Sequence, residues 1–93
     1  MLKIKDGIDL KELERFGFQK EERFDCYATK CYFFHNKKEN SNVYIPLEEI
    51  YFGEYLRLAK RQIIMDGIEY DLFEVPEIIY DLIKADMVEK VEE

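Results

Sequence analysis

The sequence predicts an α+β domain in which most strands are antiparallel. Three observations point to this class. Short amphipathic patterns typical of helices lie near both ends of the chain, the middle is rich in aromatic and β-branched residues, and polar turn formers separate the strand-like segments. We therefore expect a mostly antiparallel sheet of three to five strands, with an N-terminal and a C-terminal helix packed on one face.

Length and composition predict one domain that spans residues 1–93. The chain is 47% hydrophobic and contains seven Phe and seven Tyr, so its core can form without disulfides or a bound metal. Ninety-three residues enclose too little interior for two cores, and no linker rich in Pro, Ser or Gly divides the sequence.

The first predicted element is a short helix at residues 10–16. Asp9 is the expected N-cap, and Glu12 stands three positions later, as in a capping box. Gly17 supplies the left-handed residue that ends the helix, and Phe18 is expected to fold back on Leu13 as the apolar contact of a Schellman motif. The predicted buried residues of this helix are Leu10, Leu13 and Phe16.

A β-hairpin is predicted in the centre of the chain. Residues 24–35 are dense in Tyr, Phe, Cys and Thr and lack Gly and Pro, which favours one long strand. Residues 35–42 are polar and rich in turn formers, so we expect a loop that leads back into a strand at 43–45.

Residues 47–65 fit either a helical or an alternating pattern, and the pattern alone leaves this choice open. The tie-breaker is the pair Asp66-Gly67. Asp-Gly between apolar residues is a strong signal for a type I′ hairpin turn, because both positions accept a positive φ. We therefore prefer strands at 63–65 and 68–70, joined by a turn at this pair.

A C-terminal amphipathic helix is predicted to begin after Pro76, because proline needs no N–H partner in a first helical turn. Glu77 near its start and Lys84 near its end complement the helix dipole. Residues 87–91 fit either a last strand or a continuation of the helix, and we prefer the strand. The predicted apolar face consists of Val75, Ile78, Ile79, Leu82 and Ile83.

The net charge of −7 arises from the C-terminal third of the chain. Residues 1–65 carry 11 acidic and 12 basic side chains, whereas residues 66–93 carry 10 acidic side chains and two lysines. This balance argues against non-specific binding to nucleic acid or to anionic membranes, so direct nucleic-acid binding is not expected. A protein partner or self-association is expected instead.

The sequence predicts a cytoplasmic protein without a membrane segment. No apolar run approaches the roughly 20 residues that span a bilayer, and the N-terminus lacks the apolar region of a signal peptide. The two cysteines, Cys26 and Cys31, are an odd number of residues apart on the predicted strand and would point to opposite faces. We therefore expect reduced thiols rather than a disulfide.

No metal, cofactor or catalytic site is predicted. Cys26, Cys31 and His35 offer three zinc ligands, where a closed tetrahedral site needs four. Strand alternation also places Cys26 on the opposite face from the other two. The glycines are isolated and form no phosphate-binding loop. The chain is therefore not expected to be an enzyme.

Two patterns support a nucleic-acid-related role as the alternative function. The first is a group of aromatic and basic residues that suits base stacking on a single strand: Tyr27, Lys30, Tyr32, Phe33, Phe34, Lys37 and Lys38. The second is an acidic array that suits the DNA-binding groove of a basic protein by imitating phosphates: Asp66, Glu69, Asp71, Glu74, Glu77, Asp81 and Asp86.

Two segments carry a resemblance to a known group of proteins. Residues 2–5 lead into Ile-Asp-Leu-Lys-Glu-Leu-Glu-Arg-Phe-Gly-Phe at 8–18, and residues 79–91 read Ile-Tyr-Asp-Leu-Ile-Lys-Ala-Asp-Met-Val-Glu-Lys-Val. Together they resemble small uncharacterised proteins of prophages and conjugative elements of Gram-positive bacteria. The resemblance implies a cytoplasmic accessory protein of a mobile genetic element, and it transfers no site residue.

The leading functional hypothesis from the sequence is a protein-interaction module. A very small aromatic-rich domain that lacks a catalytic pattern has mainly its surface to offer to other molecules. The candidate interaction residues are Tyr51, Phe52 and Tyr55.

Overall fold

A computed structural model describes residues 2–22, 30–38, 40–52, 56–67 and 76–91. These residues form antiparallel sheets with strand orders β1-β8, β2-β3-β4-β7 and β5-β6. The α+β class and the antiparallel strands that the sequence predicts are confirmed. In chain order the elements are β1 (Leu2–Ile4), a 3₁₀ helix (Leu10–Phe16), β2 (Gln19–Glu22), β3 (Lys30–Asn36), β4 (Ser41–Pro46), β5 (Ile50–Phe52), β6 (Leu56–Leu58), β7 (Ile64–Gly67), α1 (Glu77–Lys84) and β8 (Val88–Lys90).

The N-terminal helix has the predicted bounds, although it is a 3₁₀ helix. The Asp9 carboxylate accepts a hydrogen bond from the Lys11 N–H at 3.0 Å, which confirms this residue as the N-cap. The Glu12 carboxylate lies 2.8 Å from Nε of Arg15 instead of completing a capping box. The i, i+3 spacing of this ion pair suits the three residues per turn of a 3₁₀ helix.

The end of the 3₁₀ helix is the predicted Schellman motif. Gly17 adopts a left-handed conformation with φ of 95°, and its N–H donates to the Glu14 carbonyl at 3.2 Å. The N–H of Phe18 donates to the Leu13 carbonyl at 3.3 Å. These two bonds satisfy carbonyl groups that have no partner inside the helix, so the chain turns sharply into β2.

The central hairpin is confirmed by the antiparallel pairing of β3 with β4, and the first part of the predicted strand, at 24–29, lies outside the described residues. The predicted loop at 35–42 is shorter than expected, because His35 pairs with Asn42 and Asn36 with Ser41 inside the ladder. Nδ1 of His35 lies 2.7 Å from Oδ1 of Asn42, so two polar side chains satisfy each other across the strands. Strand β2 pairs with the other edge of β3, and the sequence does not predict it because all four of its residues are polar or charged.

The type I′ turn predicted at Asp66-Gly67 is wrong. Both residues lie in β7, where Asp66 pairs with Asn42 and Gly67 with Ser41 of the neighbouring strand β4. The tolerance of Asp-Gly for a turn is a local property, and here pairing along the edge of β4 overrides it. The strand predicted at 63–65 is confirmed by β7, and the choice between helix and strand that the pattern leaves open before it is answered by the strands β5 and β6. The predicted strand at 68–70 lies outside the described residues.

The C-terminal helix and the last strand are both confirmed. Helix α1 follows Pro76, and a second Schellman motif ends it, in which Asp86 has φ of 57°. The N–H of Asp86 donates to the Ile83 carbonyl at 3.0 Å, and the N–H of Met87 donates to the Leu82 carbonyl at 3.1 Å. The chain then enters β8, which pairs with β1.

The apolar face predicted for α1 needs one correction, at Ile83. This side chain is 48% exposed, whereas Ile78, Ile79 and Leu82 are buried. A helix of eight residues that contacts the core along one side buries only a narrow stripe, and Ile83 lies at its margin. Val75 lies outside the described residues.

Arg61 connects the segment 61–63 to β1 and to the loop that follows β1. The residue has φ of 70°, and its main-chain carbonyl accepts from the Ile4 N–H at 2.9 Å. Its guanidinium Nη1 donates to the carbonyls of Lys5 at 2.9 Å and Ile8 at 2.6 Å. These bonds place β1 between β8 on one side and residues 61–63 on the other.

One cluster of buried side chains joins both helices with residues of the four-stranded sheet. A smaller cluster, Cys31 and Tyr44 with Phe33 and Ile64 against it, forms from residues of alternate positions in the same strands. The buried members of the main cluster are Ile4, Leu10, Leu13, Phe18, Tyr32, Val43, Ile45, Ile63, Ile78, Ile79, Leu82 and Met87.

The burial of Tyr32 predicts a loss of stability at alkaline pH. Burial, and then the negative charges of Glu14 and Asp9, raise the pKa of its hydroxyl above the ordinary value of 10.0. The Tyr32 hydroxyl of the unfolded chain therefore ionises at lower pH than that of the folded chain. The contribution of the neutral hydroxyl to the free energy of unfolding is fully present below pH 10 and is lost as the pH rises further. Urea unfolding measured from neutral pH to above pH 10 should show this decline.

The variant for this test is Tyr32→Phe. Phenylalanine at the buried position should make the alkaline decline in unfolding free energy shallower than in the wild type. An equal decline in the variant and the wild type would show that Tyr32 does not cause it.

Candidate interaction surface

The outer face of α1 consists of the residues that the helix turns away from the core: Glu77, Tyr80, Asp81, Ile83 and Lys84. Tyr80 is 50% exposed and Ile83 is 48% exposed. Within the part of the chain whose side chains are described, these two are the exposed large hydrophobic residues. Their i, i+3 spacing makes them neighbours on the helix surface, so they form one small apolar patch.

The charges on the outer face lie beside this apolar patch. Each residue of an α-helix is rotated by about 100° from the previous one, which puts Glu77 and Asp81 on the flank opposite Ile83. Two like charges at i, i+4 repel each other and destabilise an isolated helix by about 0.2–0.5 kcal/mol. A cation placed between Glu77 and Asp81 would relieve that repulsion.

The helix that presents this face is anchored at its C-terminal end. The Asp86 carboxylate accepts from Nζ of Lys5 at 2.6 Å, which links the end of α1 to the residue that follows β1. Leu82 and Met87 are buried in the main cluster at the same end. The outer face of α1 is therefore held in a fixed orientation relative to β1 and β8.

The structure divides the predicted acidic array. Glu77 and Asp81 are exposed on the outer face of α1, whereas Asp86 is engaged with Lys5. Asp66 lies in β7, which pairs with β4 and belongs to the four-stranded sheet rather than to α1. Three further members, at 69, 71 and 74, lie outside the described residues. Only the first two carboxylates are thus placed side by side by the described fold.

The predicted interaction residues Tyr51 and Phe52 lie in β5, opposite Arg57 and Leu56 of β6. Tyr55 lies outside the described residues, so the candidate set stays a prediction. Sequence reasoning did not single out Tyr80, which the structure places half-exposed on α1. The signal was available, because helical periodicity puts residue 80 on the polar side of α1.

The cysteine and histidine pattern does not converge in the described strands. Cys31 is buried, whereas His35 is exposed beside Asn42. Four residues along a strand span about 13 Å, so Cys31 and His35 are too far apart to share a metal or to form a nucleophilic pair. Cys26 lies outside the described residues. Among the residues that are described, no group of three or more metal-ligating side chains is found.

Of the aromatic residues considered for base stacking, those that the structure describes contact other protein side chains. Tyr32 lies in the main cluster, and the Phe34 ring lies 5.2 Å from that of Phe18. The ring of Phe33 lies 5.0 Å from that of Tyr44. These contacts leave little ring surface for a base. Tyr27 lies outside the described residues, and Lys30, Lys37 and Lys38 are exposed.

A small open cavity of about 320 Å³ lies between the start of the 3₁₀ helix and the end of α1. Its size is at the lower limit for ligand sites, and the Glu12–Arg15 ion pair lies in its wall. The residues that line the cavity are Gly7, Ile8, Asp9, Glu12, Arg15, Ala85 and Met87.

None of the described helices is long and apolar enough to cross a membrane.

The two segments that resemble proteins of mobile elements are brought together by the fold. The first contains β1 and the 3₁₀ helix, the second contains most of α1 and all of β8, and β1 pairs with β8. The resemblance itself stays a prediction. Comparisons with protein-family models, with curated proteins and with solved structures found no match to this chain.

Proposed function

We propose that this chain is a small protein-interaction module that binds its partner through the outer face of α1. The observation that carries the proposal is the half-exposed pair Tyr80 and Ile83 on adjacent turns of the helix. Tyrosine is enriched at the energetically dominant positions of protein interfaces, and burial of both side chains by a partner would remove apolar area from water.

The partner is expected to be basic where it meets the helix. Glu77 and Asp81 border the apolar pair, and the whole segment 66–93 carries 10 acidic side chains against two lysines. A lysine or arginine of the partner would pair with these carboxylates, while an apolar side chain packs between Tyr80 and Ile83. Such an interface gains association rate and specificity from its charges and most of its affinity from the buried anchors.

The wider context of this proposal is a cytoplasmic accessory protein of a mobile genetic element. The resemblance of the two ends of the chain supports this context. We also propose that both helices pack on one face of the four-stranded sheet. Support comes from the main cluster, which contains Leu13 and Leu82 of the helices together with Tyr32 and Ile45, a facing pair in the sheet.

The proposal is tested by capture of a partner on the immobilised protein, followed by affinity measurements with variants. The double variant Tyr80→Ala/Ile83→Ala should weaken binding at least tenfold, because truncating each central anchor costs more than about 1 kcal/mol. The unfolding free energy of this double variant should fall by no more than about 1 kcal/mol, since both side chains are half-exposed.

The matched control is the double variant Lys37→Ala/Lys38→Ala, which changes two exposed residues in the turn between β3 and β4. It should bind the partner as the wild type does. If the α1 variant binds with unchanged affinity, the outer face of α1 is not the contact surface. If the turn variant weakens binding as much as the α1 variant does, the effect is not specific to the helix.

Acidic mimicry of DNA is the second candidate function, and the exposed pair Glu77 and Asp81 favours it. The same capture experiment separates the two candidates. Mimicry requires a DNA-binding partner whose binding weakens steeply as salt is raised and is competed by duplex DNA. A partner that tolerates moderate salt and ignores duplex DNA supports the interaction module. The contacts of Phe33 and Phe34 with other rings make base stacking the weaker route to a nucleic-acid role.

A further inference from the structure

Within the part of the chain that the structure describes, strand β8 pairs only with β1, so its other side forms an open edge of that sheet. On its other side, β1 bonds to the segment 61–63, through the Ile4 N–H to the Arg61 carbonyl and the Ile63 N–H to the Leu2 carbonyl, both at 2.9 Å. Successive residues of a strand direct their main-chain groups to opposite sides. The main-chain groups of the intervening residue, Lys3, therefore point toward β8.

This alternation determines which main-chain N–H and C=O groups of β8 point toward β1. Lys3 faces Glu89 in the register, so the N–H and C=O of Glu89 point toward β1. The Lys5 N–H donates to the Met87 carbonyl at 2.9 Å, so Met87, two residues before Glu89, also points its carbonyl toward the β1 side. Val88 and Lys90 consequently direct their N–H and C=O groups away from β1, to the free edge of β8. Among the described residues, none accepts from or donates to those four groups.

We infer that the free edge of β8 binds an extended segment of the partner protein as an added strand. Two residues with outward donors and acceptors offer up to four main-chain hydrogen bonds, and an extended chain has the spacing to match them. The inference rests on the proposed function as an interaction module. The observation that supports it is a different one, namely the register of β8 with β1. Three residues form a short edge, which suits one specific segment and discourages indiscriminate aggregation.

The side chains of β8 indicate the chemistry of the added segment. Val88 packs against the main cluster and is half-buried, so an apolar residue fits across from it. On the opposite face, the Glu89 carboxylate lies 3.5 Å from Lys3, which is itself engaged by Asp6 at 2.9 Å. This group of three side chains has a net charge of −1. A segment with an apolar residue across from Val88 and a basic residue across from Glu89 therefore complements these two positions, while the exposed Lys90, on the same face as Val88, disfavours a basic residue opposite it.

A second copy of this chain is the poorer occupant. The antiparallel arrangement that overlaps all three residues of β8 with their own copy pairs Val88 with Lys90 of the other chain. That register places Glu89 directly opposite its own counterpart in a closely spaced pair, and like charges in this position are destabilising. A foreign segment with lysine or arginine at that point replaces the repulsion by attraction.

The test uses two synthetic seven-residue peptides, one of alternating valine and lysine and one of alternating valine and glutamate. Titration followed by amide NMR should show that the lysine peptide shifts the signals of Val88 and Lys90 more than those of Glu89. The glutamate peptide should cause no such shifts. Absence of these shifts with the lysine peptide would overturn the inference.

A pair of variants at Lys90 separates main-chain binding from side-chain binding. Lys90→Pro removes the outward N–H and keeps the pairing of Glu89 with β1, because proline is tolerated at edge positions whose N–H faces away. It should weaken the lysine peptide about tenfold, from one lost hydrogen bond and the bulk of the ring. Lys90→Ala keeps the N–H and should change affinity less than threefold. Equal effects of the two variants would contradict strand addition.

The two proposals can fail independently. The Tyr80→Ala/Ile83→Ala variant leaves the main chain of β8 unchanged, so it should bind the lysine peptide like the wild type. If that variant loses a captured partner while Lys90→Pro does not, the outer face of α1 is the contact and β8 is not. The reverse result would support strand addition and remove α1 from the proposed function.

Discussion

Replacement of Leu82 by alanine is expected to lower the free energy of unfolding by about 2–5 kcal/mol. The side chain is 0% exposed and lies in the main cluster, which contains residues of both helices and of the four-stranded sheet. Its truncation removes apolar contacts and leaves a cavity that the surrounding side chains fill only in part. Urea unfolding followed by far-UV circular dichroism measures the change.

Helix α1 provides a matched control for this prediction at Ile83. Leucine and isoleucine are isomers, so Ile83→Ala removes the same atoms from the adjacent residue of the same helix. Ile83 is 48% exposed, and the cost should therefore stay below about 1 kcal/mol. Equal losses for the two variants would show that α1 does not pack through Leu82, and the orientation of its outer face would need to be assigned again.

The difference between these two residues also marks what helical periodicity can predict. The pattern assigned Ile83 to the apolar face because it counts every apolar residue within the period. How wide a stripe is buried depends on how closely the sheet approaches the helix, and periodicity does not contain that distance. Tyr80 is the converse case, since the period alone places it on the polar side of α1, where the structure shows it half-exposed.

The features that the sequence predicts best are those that depend on neighbouring residues. The N-cap at Asp9, the left-handed residue at Gly17 and the start of α1 after Pro76 all follow from bonds within a few positions. A side chain at a cap needs only the backbone of the next turn as its partner. Such signals therefore survive without any knowledge of the rest of the fold.

The features that were missed depend on residues far apart in sequence. Strand β1 exists because it pairs with β8 and contacts residues 61–63, and β2 exists because it pairs with β3. Asp66 and Gly67 were assigned to a turn and lie in a strand for the same reason. Which edge a segment will meet is settled by the topology, and single-sequence patterns carry little information on it.

The free edge of β8 belongs to this second group. Residues 87–91 were read as a strand from composition, but the direction of each N–H follows only from the register with β1. The parity that turns Val88 and Lys90 outward depends on Ile4 and its bond to Arg61. A candidate site formed by main-chain groups is thus invisible to any search for reactive side chains.

Replacement of Gly17 by alanine is expected to destabilise the fold by about 2 kcal/mol, because a left-handed conformation costs a residue with a Cβ roughly 1–2 kcal/mol. Gly17 has φ of 95° and ends the 3₁₀ helix. An added Cβ would lie 3.2 Å from Cε2 and 3.6 Å from Cδ2 of Phe34, so the ring must shift. That ring also packs against Phe18, and the strain would therefore reach the main cluster.

Gly7 is the control that separates these causes from the loss of a glycine as such. An added Cβ there would meet no atom within 4 Å, and its φ does not lie in the left-handed region. Gly7→Ala should therefore be neutral or stabilise by up to about 1 kcal/mol, because alanine restricts the unfolded chain. The ring signals of Phe34 in NMR spectra should move in Gly17→Ala and stay in place in Gly7→Ala. If the two variants unfolded at the same denaturant concentration, the Schellman motif would not be what directs the chain from the helix into β2.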